Sequence, residues 1–234
     1  VSIAVAGPAA WYQQSVRLAS GMLAVAMAAG LAACGSGPAP VAVTPSPAKP
    51  AAPINPARVE RSRSALPAGY EITTYQGPPA PVALWGMRVP AVTEPPQCAV
   101  LAAPAADPST SRGWSGSGPG GIAYAVIAAV PGDGHALPRD CGRWTVSAGP
   151  TTATVVGVPA PTIAGADVVG MRTDAVTVVE GGTETRLHAQ TFIASLDRYV
   201  CLVSLVTDPG SPQTPLGPDF AARLLTETVS ALRG

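Results

Sequence analysis

Charge is scarce in this chain, and lysine is almost missing. Only 12% of the 234 residues are charged, and the formal net charge is zero. Lysine and arginine together number 14, and Lys49 is the one lysine. From Ser64 to Gly234, nine arginines stand against thirteen acidic residues, a net of about −4. A nucleic-acid ligand demands a basic stripe, so that class is excluded. Histidine occurs twice, as His135 and His188, and there is no C-x-x-C pair or His/Cys cluster. The spacing that zinc sites need is therefore missing, and no metal or cofactor is expected. Long apolar runs are missing too. The longest, Leu18–Ala33, is about 16 residues, short of the ~20 that cross a bilayer.

That run ends in the chain's first cysteine. Arg17 precedes it, and Leu31, Ala32, Ala33 and Cys34 follow the order Leu-small-small-Cys. A cation, a short apolar run and small residues read as a secretory signal rather than a spanning helix. The four residues resemble the bacterial lipobox. That resemblance implies cleavage before Cys34 and acylation of its thiol, palmitate included, with residues 1–33 removed as a lipoprotein-type signal peptide. The chain is then exported and lipid-anchored at the outer face of the cytoplasmic membrane or in the cell envelope. After Cys34, seven prolines fall between Gly35 and Ser62 with few large apolar residues. Such a segment favours extended polyproline II, so residues 34–63 are expected to be a disordered stalk. At ~3.1 Å per residue it reaches as much as roughly 80 Å.

Residues 64–234 are long enough for one domain with its own core. Three cysteines remain there, and an exported chain meets oxidising conditions, so one bridge and one leftover thiol are expected. Cys98 and Cys141 lie in polar or Pro-rich surroundings. Cys201 lies inside the apolar "RYVCLVSLV", where a free thiol packs as a small hydrophobe. The expected bridge is Cys98–Cys141.

"LPAGYEITTYQ" reads as a first strand and residues 95–103 as a short helix opened by Thr93 and the double proline. "PSTSRGWSGSGPGG" reads as a loop. The apolar run 122–130 reads as a buried strand, and "RWTVSAG" and "TATVVGV" flank a Gly149-Pro150 turn. Gly181-Gly182 and Asp197-Arg198 each break two strand-like runs, the pattern of an antiparallel meander. At the end, Phe220, Leu224, Leu225, Val229 and Leu232 fall on one helical face after Pro218 and Asp219, and Gly234 follows as a stop. The fold class is α+β: an antiparallel sheet with helices packed on one face and a C-terminal amphipathic helix across it.

The segments "LPAGYEI", "PPQCAVLAAP", "CGRWTV", "RYVCLVSLVTDPG" and "ARLLTETVSALR" resemble actinobacterial, and in particular mycobacterial, envelope lipoproteins. The folded part of that family is related to the extracellular sensor domain of receptor serine/threonine kinases. The resemblance implies a cysteine-bridged sensor-like domain with a cleft for an envelope ligand. The kinase-linked members usually carry two bridges where this chain can make one, so no pocket residues carry over.

Catalytic motifs fail on inspection. Gly116, Gly118 and Gly121 form a G-x-G-x-x-G, but it precedes a strand and contains Pro119, whereas a dinucleotide site needs it to open a helix. "GWSGSG" misses G-x-S-x-G by its last residue, and Ser115 has only His135 and His188 as candidate bases. The domain is read as non-catalytic. Trp114, on a Gly/Ser stretch, is the candidate contact residue, whereas Trp85 and Trp144 are expected to bury against the sheet. The function expected is binding or sensing of an envelope lipid or cell-wall component. The alternative is an interaction module for an envelope glycan or protein partner without a small-molecule pocket.

Overall fold

A computed structural model describes residues 52–132, 136–217 and 219–234. Nine antiparallel strands form one sheet in the order β1-β3-β4-β9-β8-β7-β6-β5-β2. They are β1 Glu71–Thr74, β2 Val92–Glu94, β3 Arg112–Gly118, β4 Gly121–Ala129, β5 Arg143–Ala148, β6 Thr151–Val158, β7 Asp167–Val178, β8 Glu184–Leu196 and β9 Tyr199–Thr207. Strands β5 to β9 pair in sequence order, which is the expected meander. Its turns carry the residues they need. Gly181 and Gly182 take φ of 82° and 79° between β7 and β8, and Asp197 takes φ of 51° between β8 and β9. Such left-handed conformations suit glycine and, among other residues, aspartate and asparagine.

The two faces of the sheet carry separate cores because side chains alternate along each strand. On β9, Val200, Leu202 and Val206 join one core while Cys201, Val203 and Leu205 join the other. The second core is closed by α3, Phe220–Arg233, whose Phe220, Leu224, Leu225, Val229 and Leu232 are buried as its periodicity predicts. Gly234 caps it with φ of 106°, its N–H donating to Ser230 O. Asp219 stands at the N-cap position, and Pro218 lies outside the described residues.

The expected stalk boundary at Ser64 is corrected. Pro56–Ala65 is a 3-10 helix that packs beside α3. Asn55 N–H donates to Leu232 O at 2.9 Å, and Val59 is fully buried. Proline suits the first helical positions, and "ARVERSRSA" places one apolar side chain where the sheet needs cover. A composition poor in large apolar residues concealed this.

The opposite face is covered by shorter pieces. The single-turn helices α1, Pro81–Leu84, and α2, Ala99–Ala102, lie there with Trp85, Met87 and Trp144. The C-terminal helix thus crosses one face as expected, while short helices also cover the other. The α+β class holds. The predicted helix at 95–103 is present as a 3-10 turn, Pro96–Cys98, running into α2. Thr93 lies in β2 instead of capping it, and its hydroxyl donates to Pro96 O. Cys98 and Cys141 are bridged, Cα–Cα 5.8 Å, and tie this corner to the start of β5. Cys201 is free and buried.

The stretch read as a loop around Trp114 is strand β3, paired with β4 from Arg112↔Ile127 to Gly118↔Gly121. Its glycines serve packing. A Cβ on Gly118 would stand 2.6 Å from the Tyr70 ring. Gly121, at φ of 113°, turns the hairpin, and a Cβ there would collide with Val206 O.

Candidate functional site

A cleft of about 540 Å³ opens at one end of the sheet, on the face that carries Trp85. That is within the ~300–1,000 Å³ typical of small-molecule sites. Register explains where it lies. Ala153, Ala175 and Leu187 align across β6, β7 and β8, and the next row outward is Thr151, Thr177 and Thr185. Alanine at 175 leaves space at the cleft floor that a larger side chain would fill, and its neighbour Ala153 is buried in the core beside it. Ile122, Val206 and Leu187 supply further apolar lining. The hairpin Ser117–Gly121 and the segment containing Asp208, Ser211, Gln213 and Pro215 form the mouth. Tyr70 and Leu216 brace the two mouth segments. Gly120 N–H donates to Tyr70 Oη at 3.1 Å, and Leu216 N–H donates to Gly120 O at 3.4 Å.

Trp85 forms the inner wall and is 2% exposed. Its Nε1–H donates to Thr191 Oγ1 at 2.9 Å, and Thr191 Oγ1 shares a 2.8 Å hydrogen bond with Ser204 Oγ. All three are buried, so the indole is held by a satisfied polar chain within an apolar core. Trp144 packs against it with ring centroids 6.4 Å apart. On the same face, Tyr75 and Tyr124 meet edge to face at 5.8 Å. Burial raises both phenols, Tyr75 to about 12. At the rim, Thr151 Oγ1 and Thr177 Oγ1 lie 2.9 Å apart.

The structure distributes the sequence-derived candidates unevenly. Leu31, Ala32, Ala33, Cys34 and His135 lie outside the described residues. The Cys98–Cys141 bridge is present, away from the cleft lining. Trp114 is not a contact residue, and that expectation is corrected. It is fully buried under the 3-10 helix, and its Nε1–H lies within hydrogen-bond distance of Val59 O and Ser62 Oγ. It looked exposed because glycine and serine surround it; those small residues instead make room for Leu66 and Tyr70. Trp85 and Trp144 bury against the sheet as expected. Burial also holds the Cys201 thiol protonated, pushing it up to about 12.

His188 faces outward from β8, its Nδ1 2.5 Å from Asp174 Oδ1, with Arg172 3.8 Å from the same carboxylate. Ser115 lies on β3, three strands away and on the opposite face of the sheet, where its hydroxyl pairs with Thr73 Oγ1 at 3.0 Å. These residues do not assemble into a triad. Among the described residues no three acidic, His or Cys side chains cluster to hold a metal, and no helix is long and apolar enough to cross a membrane.

Sequence reasoning missed Trp85 as a cleft wall, the threonine row and the two mouth segments. A signal was present: threonine stands just after Gly149-Pro150 and on both sides of Gly181-Gly182. Only the register places three of them in one row.

The fold is similar to that of an uncharacterized protein from Mycobacterium smegmatis, the Rv0999 ortholog, solved by X-ray crystallography. The TM-score is 0.56 at 22% identity, over 77% of this chain and 98% of that one. The sequence matches no curated protein. A family model described as "Domain of unknown function (DUF5642)" matches residues 55–233, which coincides with the folded unit from the 3-10 helix to the end of α3, and the chain belongs to that family.

Proposed function

We propose that this chain is a lipid-anchored envelope protein whose domain holds an apolar or amphiphilic envelope molecule in the Trp85 cleft without transforming it. The observation that carries the reading is the cleft itself. It is concave, floored by Ala175, Leu187 and Val206, walled by a tryptophan fixed through Thr191, and open at one end. Apolar pockets with a few placed polar groups are the usual form of a small-molecule site. The Leu31–Cys34 lipobox and the proline-rich segment after it support export and anchoring at the outer face of the membrane. Resemblance to envelope lipoproteins related to kinase sensor domains supports a carrier or sensor role.

Native mass spectrometry of the chain exported from an actinobacterial host tests this. A co-purifying mass that denaturation releases is expected; a clean apo mass from that host contradicts it. One observation favours the second reading, a protein-interaction module. Val92, the first residue of the edge strand β2, is 71% exposed and Val89, just before it, 50%, a patch a partner strand could cover.

A further inference from the structure

The chemistry of the cleft mouth separates ligand classes that the apolar floor alone does not. Five residues of the lining can turn a hydroxyl towards the cleft, Ser117, Thr151, Thr177, Thr185 and Ser211, whereas Thr207 pairs with His188 and carries its hydroxyl on the other face. Gln213 adds a carboxamide. Two charged residues border the lining, and neither offers a free charge: Arg186 alternates with Thr185 and Leu187, so its side chain lies on the other face of β8, and both are paired. Arg186 Nη2 donates to Glu184 Oε2 at 2.9 Å, and Asp208 Oδ1 accepts from Gly210 N–H at 2.7 Å. A phosphate or carboxylate head would need an unengaged cation at the mouth, since charge-assisted donors are what recognise such groups. A quaternary ammonium would need an open aromatic cage. The tryptophan here is the buried inner wall instead, 2% exposed.

Resting on the cleft reading above, we infer that the ligand is an uncharged, hydroxyl-rich amphiphile, with its alkyl or acyl chain on the Ala175–Leu187–Val206 floor and a sugar-like head among the mouth hydroxyls. Each Ser and Thr hydroxyl is both donor and acceptor, and so is each hydroxyl of a polyol, so either partner can supply the proton. The row Thr151–Thr177–Thr185 stands one residue pair outward from the apolar row on the same strands. That places the switch from apolar to hydroxylic lining within a single step along the sheet, about 7 Å for two residues of strand.

Isothermal titration of the full chain carrying Cys34→Ser, purified without detergent, tests this with three probes of equal chain length below their micelle concentrations. The probes are dodecyl maltoside, dodecylphosphocholine and laurate. The inference predicts one maltoside per chain, bound at least tenfold more tightly than the two charged probes. Thr185→Val, an exposed rim substitution, should weaken maltoside roughly fivefold, the loss of about one hydrogen bond, and leave laurate unchanged. Equal affinity for the three probes overturns the head-group inference while leaving the apolar cleft standing. Binding of none of them overturns the cleft reading as well.

Discussion

Trp85 and Thr191 are 106 residues apart in the chain and 2.9 Å apart in space, and their hydrogen bond fixes the inner wall of the cleft. Removing the acceptor with Thr191→Val leaves a buried indole N–H and the Ser204 hydroxyl short of a partner. Stability should fall by about 1–3 kcal/mol. Trp85→Phe in the same background removes the orphaned donor, so the double variant should cost less than the two single costs added. Urea denaturation of the four proteins measures both.

The 3-10 helix is part of the folded domain and not of the stalk expected from composition. A chain starting at Ser64 loses buried Val59 and both hydrogen-bond acceptors of Trp114. It should be less stable than one starting at Ala52 by roughly 3–5 kcal/mol. Its tryptophan emission should also shift to the red. Equal urea midpoints would return Pro56–Ala65 to the stalk.

The Cys98–Cys141 bridge closes a loop of sequence separation 43. Replacing both cysteines by serine should cost about 4 kcal/mol through the freedom regained by the unfolded chain. Peptide mapping without reductant should recover this pair and leave Cys201 alkylated only after unfolding.

Alkaline pH should destabilise the fold in a defined window. Burial raises the Cys201 thiol from 9.0 to about 12. The folded state therefore holds that proton more tightly than the unfolded chain. Its contribution is complete below pH 9.0 and is lost as pH rises towards about 12. Tyr75, raised from 10.0 to about 12, adds a loss of the same sign over the upper part of that range. Cys201→Ala should flatten the fall in urea midpoint beginning near pH 9.0 and leave the part that starts near 10.0. An unchanged profile would contradict the assignment.

Cys34→Ala should move the protein from the detergent phase to the aqueous phase in partitioning experiments. Continued detergent-phase behaviour would contradict the lipobox.

Much of the architecture was legible because local signals and tertiary structure agree. The glycine pair at 181–182 and Asp197 mark turns whose backbone geometry few other residues adopt, so β7, β8 and β9 could be read directly. The α3 face was legible from its period, and Cys201 was separable from the bridged pair by its apolar neighbours. Trp114 and Val59 were not legible, since each owes its burial to the other across 55 residues. The cleft was hidden for the same reason. Ala175 and Ala153 look like any small strand residues until the register aligns them beneath Thr177 and Thr151.

The most direct test of the central claim compares the wild-type chain with Ala175→Phe, both exported from an actinobacterial host, by mass spectrometry of organic extracts. Ala175 lies on the cleft floor, so the added ring occupies the space an apolar ligand would use. Matched thermal unfolding of the two proteins serves as the folding control. The account predicts a lipid-soluble molecule at about one per chain in the wild type and its loss in the variant. Equal amounts in both, or none in either, would contradict it.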